Sequence, residues 1–118
     1  MVELHGRFAV AAVLYMIVVG VWGIVSYFRK TGVSGSFRGT LFIGEGMLVL
    51  EAVLGMALLA AGHRPPDNLH FLYGALVPLV FPLSLSVART RPPRQVPLIY
   101  GVAALLIVGL ALRAIVTG

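Results

Sequence analysis

Residues 8–28, FAVAAVLYMIVVGVWGIVSYF, carry no charged side chain. A membrane-spanning helix needs about 20 consecutive, predominantly apolar residues, and this run has that length. In lipid, only helices and closed barrels satisfy their own backbone groups. The run shows no period-two alternation, so it reads as a helix. Three further runs have the same character: Leu41–Ala61, Phe71–Ala88 and Val96–Val116.

The composition points the same way. Hydrophobic residues make up 59% of the 118 and charged ones only 11%, against about a quarter charged in a soluble domain. There is no cysteine, which removes disulfides and thiolate metal sites. The net charge of +5 would suggest nucleic acid in a soluble chain. Here the cations sit in connectors, where they set topology and meet anionic headgroups, so no nucleic-acid partner is expected. Glycine-rich phosphate loops, GxSxG and HExxH are absent, which leaves nucleotide-dependent and hydrolytic chemistry without support. The reading is not of an enzyme acting alone.

The connectors are short. RKTGVSGSFRGT (29–40) is polar and glycine-rich, and GHRPPDN and RTRPPRQ each contain a proline pair that stops a helix. Short connectors make neighbours antiparallel. The prediction is therefore an all-α, integral membrane, four-helix up-down bundle forming one domain, with helices near 6–28, 40–62, 69–89 and 96–117. The first run exceeds the 7–15 apolar residues of a signal peptide and is read as a retained helix. Loops 29–40 and 89–95 hold Arg29, Lys30, Arg38, Arg89, Arg91 and Arg94, whereas the other side holds Arg7, Arg64 and Arg113. The positive-inside bias makes the first set cytoplasmic and puts both termini outside, as in a bacterial plasma membrane. Tyr15, Trp22, Tyr27 and Tyr100 are candidates for interfacial belts.

Helix parity then collects all three histidines, His5, His63 and His70, on the outer face. His5 precedes Ala9 and Ala12 on its helix face, and His70 precedes Tyr73, Gly74 and Val77. Small residues beside two imidazoles leave room for a flat cofactor, and bundle cores host such sites between facing helices. Histidine is a normal axial haem ligand. The expected site is haem b with His5 and His70 on iron, Gly74 at the ring, and Arg7, Arg64 and Arg113 on the propionates. The plain alternative is that small residues serve helix packing and interfacial histidines are simply hydrated.

Glu45 and Glu51 lie inside the second helix. Counted back from Ala61, Glu51 falls near mid-membrane at about 1.5 Å per residue, where an ionised carboxylate costs several kcal/mol. It is expected to be neutral unless Arg113 turns inward to pair with it. Both acids are candidates for proton handling or quinone contact. Gly44, Gly46 and Gly55 suggest close approach by a neighbouring helix. Pro78 and Pro82 are expected to kink the third helix, with Ser84 and Ser86 helping to satisfy the freed groups.

ELHGR around His5 and LHFLYG around His70 resemble the helix-start ligands of small membrane b-type cytochromes and of one half of haem A synthase. That synthase family typically has Glu-x-x-His-Arg and two bundles per chain. Here Glu3 and Arg7 each stand two residues from His5, and there is one bundle. The chain also looks like small bacterial membrane proteins whose resemblance implies no activity. Three functions follow as expectations. The first is a bis-histidine haem protein for electron transfer or haem handling. The second is an accessory subunit of a larger membrane complex or homo-oligomer. The third is a proton-coupled carrier using Glu51.

Overall fold

The computed structural model describes residues 1–118. The chain is all-helical: α1 (Val2–Arg29), α2 (Gly35–Ala60), α3 (Leu69–Leu76), α4 (Val80–Ala88) and α5 (Val96–Thr117). A 3₁₀ turn, Val77–Leu79, joins α3 to α4, and a second, Pro93–Gln95, leads into α5. Four units are long and apolar enough to cross a bilayer: Val2–Arg29, Gly35–Ala60, Leu69–Ala88 and Pro93–Thr117.

The central seam is between antiparallel α1 and α5, where glycine removes the side chain that would hold the helices apart. A Cβ on Gly23 would lie 2.6 Å from the Pro97 carbonyl oxygen and 2.7 Å from Gly101 Cα. A Cβ on Gly101 would lie 3.0 Å from both Gly20 O and Ile24 N. Along the same seam Ala12, Met16, Val19, Ala103, Ala104 and Ile107 are buried. Close backbone approach gives dispersion contact that lipid tails cannot match, which is how membrane helices gain association energy. The seam differs from the one expected on α2. Gly46 faces open space, Gly44 accommodates the Tyr15 and Met16 side chains, and Gly55 accommodates an imidazole.

α2 begins earlier than its apolar run. The Ser34 hydroxyl accepts a hydrogen bond from Phe37 N at 3.1 Å, a serine N-cap that starts the helix inside the glycine-rich connector. The Phe37 side chain is then fully buried, edge-on to Trp22 with ring centres 5.2 Å apart. The Tyr15 hydroxyl donates to the Thr40 carbonyl at 2.6 Å. Tyr100 is buried beside Phe81. Tyr15, Trp22 and Tyr100, expected in interfacial belts, each make a contact with a neighbouring helix.

The Trp22–Phe37, Tyr15–Thr40 and Met16–Gly44 contacts fix the α1–α2 register. In that register the end of α2 comes level with the start of α1. Gly55 lies against the His5 ring, and Glu51 stands one turn further into the bundle with its carboxyl against His5.

The prolines act as expected on the backbone but not on the serines. Pro78 and Pro82 cannot donate to the carbonyls of Gly74 and Pro78, and α3 gives way to the 3₁₀ turn there. The Ser84 and Ser86 hydroxyls donate to Val80 O (2.7 Å) and Pro82 O (3.5 Å) instead. Those carbonyls lie one turn back on the same helix, the ordinary serine reach.

The seam makes a signed prediction. Gly23→Ala should lower the thermal stability of the detergent-purified protein by about 1–3 kcal/mol through overpacking against backbone. Gly46→Ala, the same chemical change in open space, should leave stability equal or raise it by up to about 1 kcal/mol through helix propensity. Equal melting shifts for the two variants would contradict the seam.

Candidate functional site

Three of the four membrane-length units bring a polar group to one end of the bundle within a turn of their own ends, and α2 brings Glu51. His5 Nδ1 lies 2.8 Å from Glu51 Oε1, with both side chains mostly buried. The distance is that of an ion pair, but the angle falls short of a directed hydrogen bond. His5 Nδ1 and both Glu51 oxygens are therefore buried without a hydrogen-bond partner. The His5 and His70 rings stand edge to face, with centres 6.1 Å apart and planes at 79°. His70 Nδ1 is 2.6 Å from the Ala114 carbonyl oxygen. A carbonyl only accepts, so His70 carries its proton on Nδ1. Glu51, His5, His70 and the Ala114 carbonyl thus form one cluster drawn from α2, α1, α3 and α5, in which the two histidines meet ring to ring.

Each link has a local cause. The last four carbonyls of a helix lack intrahelical donors, and Ala114 lies in the last turn of α5. His70, at the start of α3, supplies a donor there, as basic side chains do at helix C-termini. The Thr117 hydroxyl adds a donor to the same carbonyl at 3.2 Å. On the other side, glycine at 55 makes the space: a Cβ there would lie 3.3 Å from His5 Cε1. Gly55 stands one turn from Glu51 on α2, so the carboxyl and the vacant position lie on one face.

The remaining predicted residues are distributed as follows. Gly74, one turn from His70, has open space above it. The Arg113 guanidinium lies over the Tyr73 ring, 5.6 Å from its centre. Arg113 therefore does not pair with Glu51, and His5 takes the role proposed for it. Arg7 is bound to Glu3 at 2.6 Å on an exposed face, because the i,i+4 spacing makes them neighbours. Two residues from His5 along a helix is about 200° of rotation, so Arg7 turns away from the histidines. This corrects its expected place at the site. Arg64 and His63 are exposed in the α2–α3 connector. Glu45 is not joined to Glu51; its Oε1 is buried with no hydrogen-bond partner.

The donor set can be tested against a metal. No group of three or more His, Cys, Asp or Glu side chains is spaced to hold an ion, which leaves a two-ligand arrangement. Metal–imidazole bonds are about 2 Å, which puts two ring centres on opposite sides of one metal about 6 Å apart. Metal-ligating histidines almost always give their other nitrogen to a carboxylate or a backbone carbonyl. His5 faces Glu51 through Nδ1 and His70 faces Ala114 O through Nδ1, so each ring keeps Nε2 for another partner. The two imidazoles match haem iron in donor type, and their ring centres stand 6.1 Å apart.

Comparison with protein-family models, with curated proteins and with solved structures returns no match.

The His5–Glu51 contact predicts coupling that the Arg113 side chain lacks. In a double-mutant cycle on melting in detergent, His5→Asn and Glu51→Gln should be non-additive by roughly 0.5–3 kcal/mol. Glu51→Gln and Arg113→Gln should add within about 0.5 kcal/mol. Coupling of Glu51 to Arg113 in place of His5 would overturn the pairing.

Proposed function

We propose that this chain is an integral membrane b-type haem protein, with His5 and His70 as the axial ligands, acting in electron transfer or haem handling. The observation that carries the reading is the meeting of two imidazoles, 65 positions apart in sequence, with both Nδ1 atoms already turned to acceptors. Haem, when bound, supplies one-electron chemistry. The chain's own part is to hold and tune the ligands. Glu51 beside His5 Nδ1 favours the tautomer with its proton there and makes Nε2 a stronger donor. The Ala114 carbonyl does the same for His70 with a neutral acceptor, so the two ligands differ in basicity. Arg113, held over Tyr73 one turn from His70, is a cation for a propionate, and Arg64 lies in the adjoining connector. Gly74 leaves the His70 face open.

A second reading draws on the same cluster. The buried Glu51 carboxyl and His5 can share one proton, and the His70 ring lies beside His5. That is the minimum for a proton-handling element, and it supports a carrier role if haem is absent.

The surrounding frame belongs to the proposal too. The four apolar units cross a plasma membrane, with 29–40 and 89–95 cytoplasmic and both termini outside. Cysteines placed at Ser34 and Asp67 should react with a membrane-impermeant thiol reagent from opposite sides. Labelling of both from one side defeats the even-span topology.

The purified protein, expressed with ample haem supply, should show Soret and α bands in a reduced-minus-oxidised spectrum. His5→Ala and His70→Ala should each abolish them. Glu51→Gln should keep the bands and weaken haem retention by about 10–100-fold, the usual cost of losing a ligand's supporting partner. A bandless wild-type spectrum refutes the haem reading and leaves the proton reading standing.

A further inference from the structure

The opposite end of the bundle holds a feature that the haem reading does not use. Arg29, Lys30, Arg38, Arg89, Arg91 and Arg94 lie there with no acidic residue. The chain's two ion pairs, His5–Glu51 and Glu3–Arg7, are both at the histidine end. Three of the six cations converge. Lys30, Arg38 and Arg94 line an open cleft of about 460 Å³ between the α1–α2 connector and the turn that leads into α5. Only two of its eight lining residues, Val33 and Val96, are hydrophobic. Lys30 and Gly32 hold positive φ, 59° and 68°, which turns the connector back along the cleft rim.

A short distance along α5 the character changes. Val80, Leu83, Val87, Ile99 and Leu106 line an apolar groove of about 210 Å³ between α4 and α5. Ile99 of this groove stands three residues from Val96 of the cleft, one turn along the same helix. A polar, triply cationic recess thus adjoins an apolar furrow that runs toward the bundle centre.

We propose that the cleft binds a phosphate ester, and that its source is the headgroup of an anionic phospholipid with one acyl chain along the α4–α5 groove. Three cations without protein counter-ions attract a phosphate diester, and arginine binds its oxygens bidentately. Basic recesses between membrane helices on the cytoplasmic side are where such headgroups collect. The furrow separates a lipid from free phosphate, which has nothing to place in it. The inference rests on the membrane reading and is independent of haem.

The test is native mass spectrometry of the full chain released from detergent and titrated with phosphatidylglycerol, with phosphatidylcholine or with inorganic phosphate. One phosphatidylglycerol adduct should form at lower concentration than any phosphatidylcholine adduct. Arg38→Gln with Arg94→Gln should weaken it by about tenfold or more. Arg89→Gln with Arg91→Gln removes the same charge outside the cleft and should weaken it by less than about twofold. Equal weakening by the two pairs overturns the site in favour of diffuse attraction. Equal binding of phosphatidylcholine overturns the requirement for an anionic headgroup. Inorganic phosphate competing as well as the lipid overturns the lipid source. If the Arg38/Arg94 pair loses helicity by circular dichroism, Lys30→Gln with Arg94→Gln takes its place under the same criteria. The cysteine-labelling experiment reports separately on membrane insertion.

Discussion

Gly23 and Gly101 let the backbones of α1 and α5 touch, and the positions of the other elements follow from that contact. A side chain at either glycine would meet main-chain atoms that cannot rotate aside. With the seam closed, the start of α1 and the end of α5 come to the same end of the bundle. The third unit packs on α5, and α2 packs on α1. His5 rides on α1 and His70 on the unit that flanks α5. Their meeting is thus a consequence of a glycine contact on the order of 25 Å away along the helix at 1.5 Å per residue. No loop holds the two histidines together.

The four apolar runs, the proline break and the collection of histidines at one end were legible because each depends on local composition or on parity. A run of apolar residues needs no knowledge of its neighbours, and counting helices fixes which ends coincide. The Glu51–His5 contact was not legible, because it depends on the register of α2 against α1. That register is set by Phe37 and by the Ser34 N-cap, both inside a stretch that composition marks as a loop. The signal was present: a serine three residues before a large apolar side chain is a helix start. The glycine seam was misplaced for a similar reason. Gly44, Gly46 and Gly55 flank acids and draw attention, whereas Gly20, Gly23 and Gly101 sit in uniform apolar sequence with nothing to mark them. Arg7 was assigned by proximity in sequence, which on a helix says little about direction.

His70 has a structural task that does not depend on any cofactor: it caps the last turn of α5. This does not compete with ligation. Capping uses the Nδ1 proton, and ligation would use the Nε2 lone pair, so the first contact fixes the ring for the second. The same holds for His5, whose Nδ1 faces a carboxyl in place of a carbonyl. Lone capping explains His70 and leaves the buried Glu51 carboxyl unexplained, since burying a carboxyl without hydrogen bonds is costly. The His5 imidazole lies beside that carboxyl at 2.8 Å, and both carboxyl oxygens remain without a hydrogen bond.

The two ends of the bundle satisfy their polar groups in opposite ways. At the histidine end, imidazole meets carboxyl, imidazole meets carbonyl, Arg7 meets Glu3 and Arg113 meets an aromatic face. Those contacts are all made within the molecule. At the arginine end there is no acid to close against, and six cations remain for whatever lies outside. Charge of one sign also repels itself, so a cleft that draws three cations together is unfavourable unless a counter-ion offsets it. The lipid headgroup proposed for the cleft would be such a counter-ion. The histidine end closes its ion pairs within the chain, whereas the arginine end leaves six exposed cations with no acidic side chain among them.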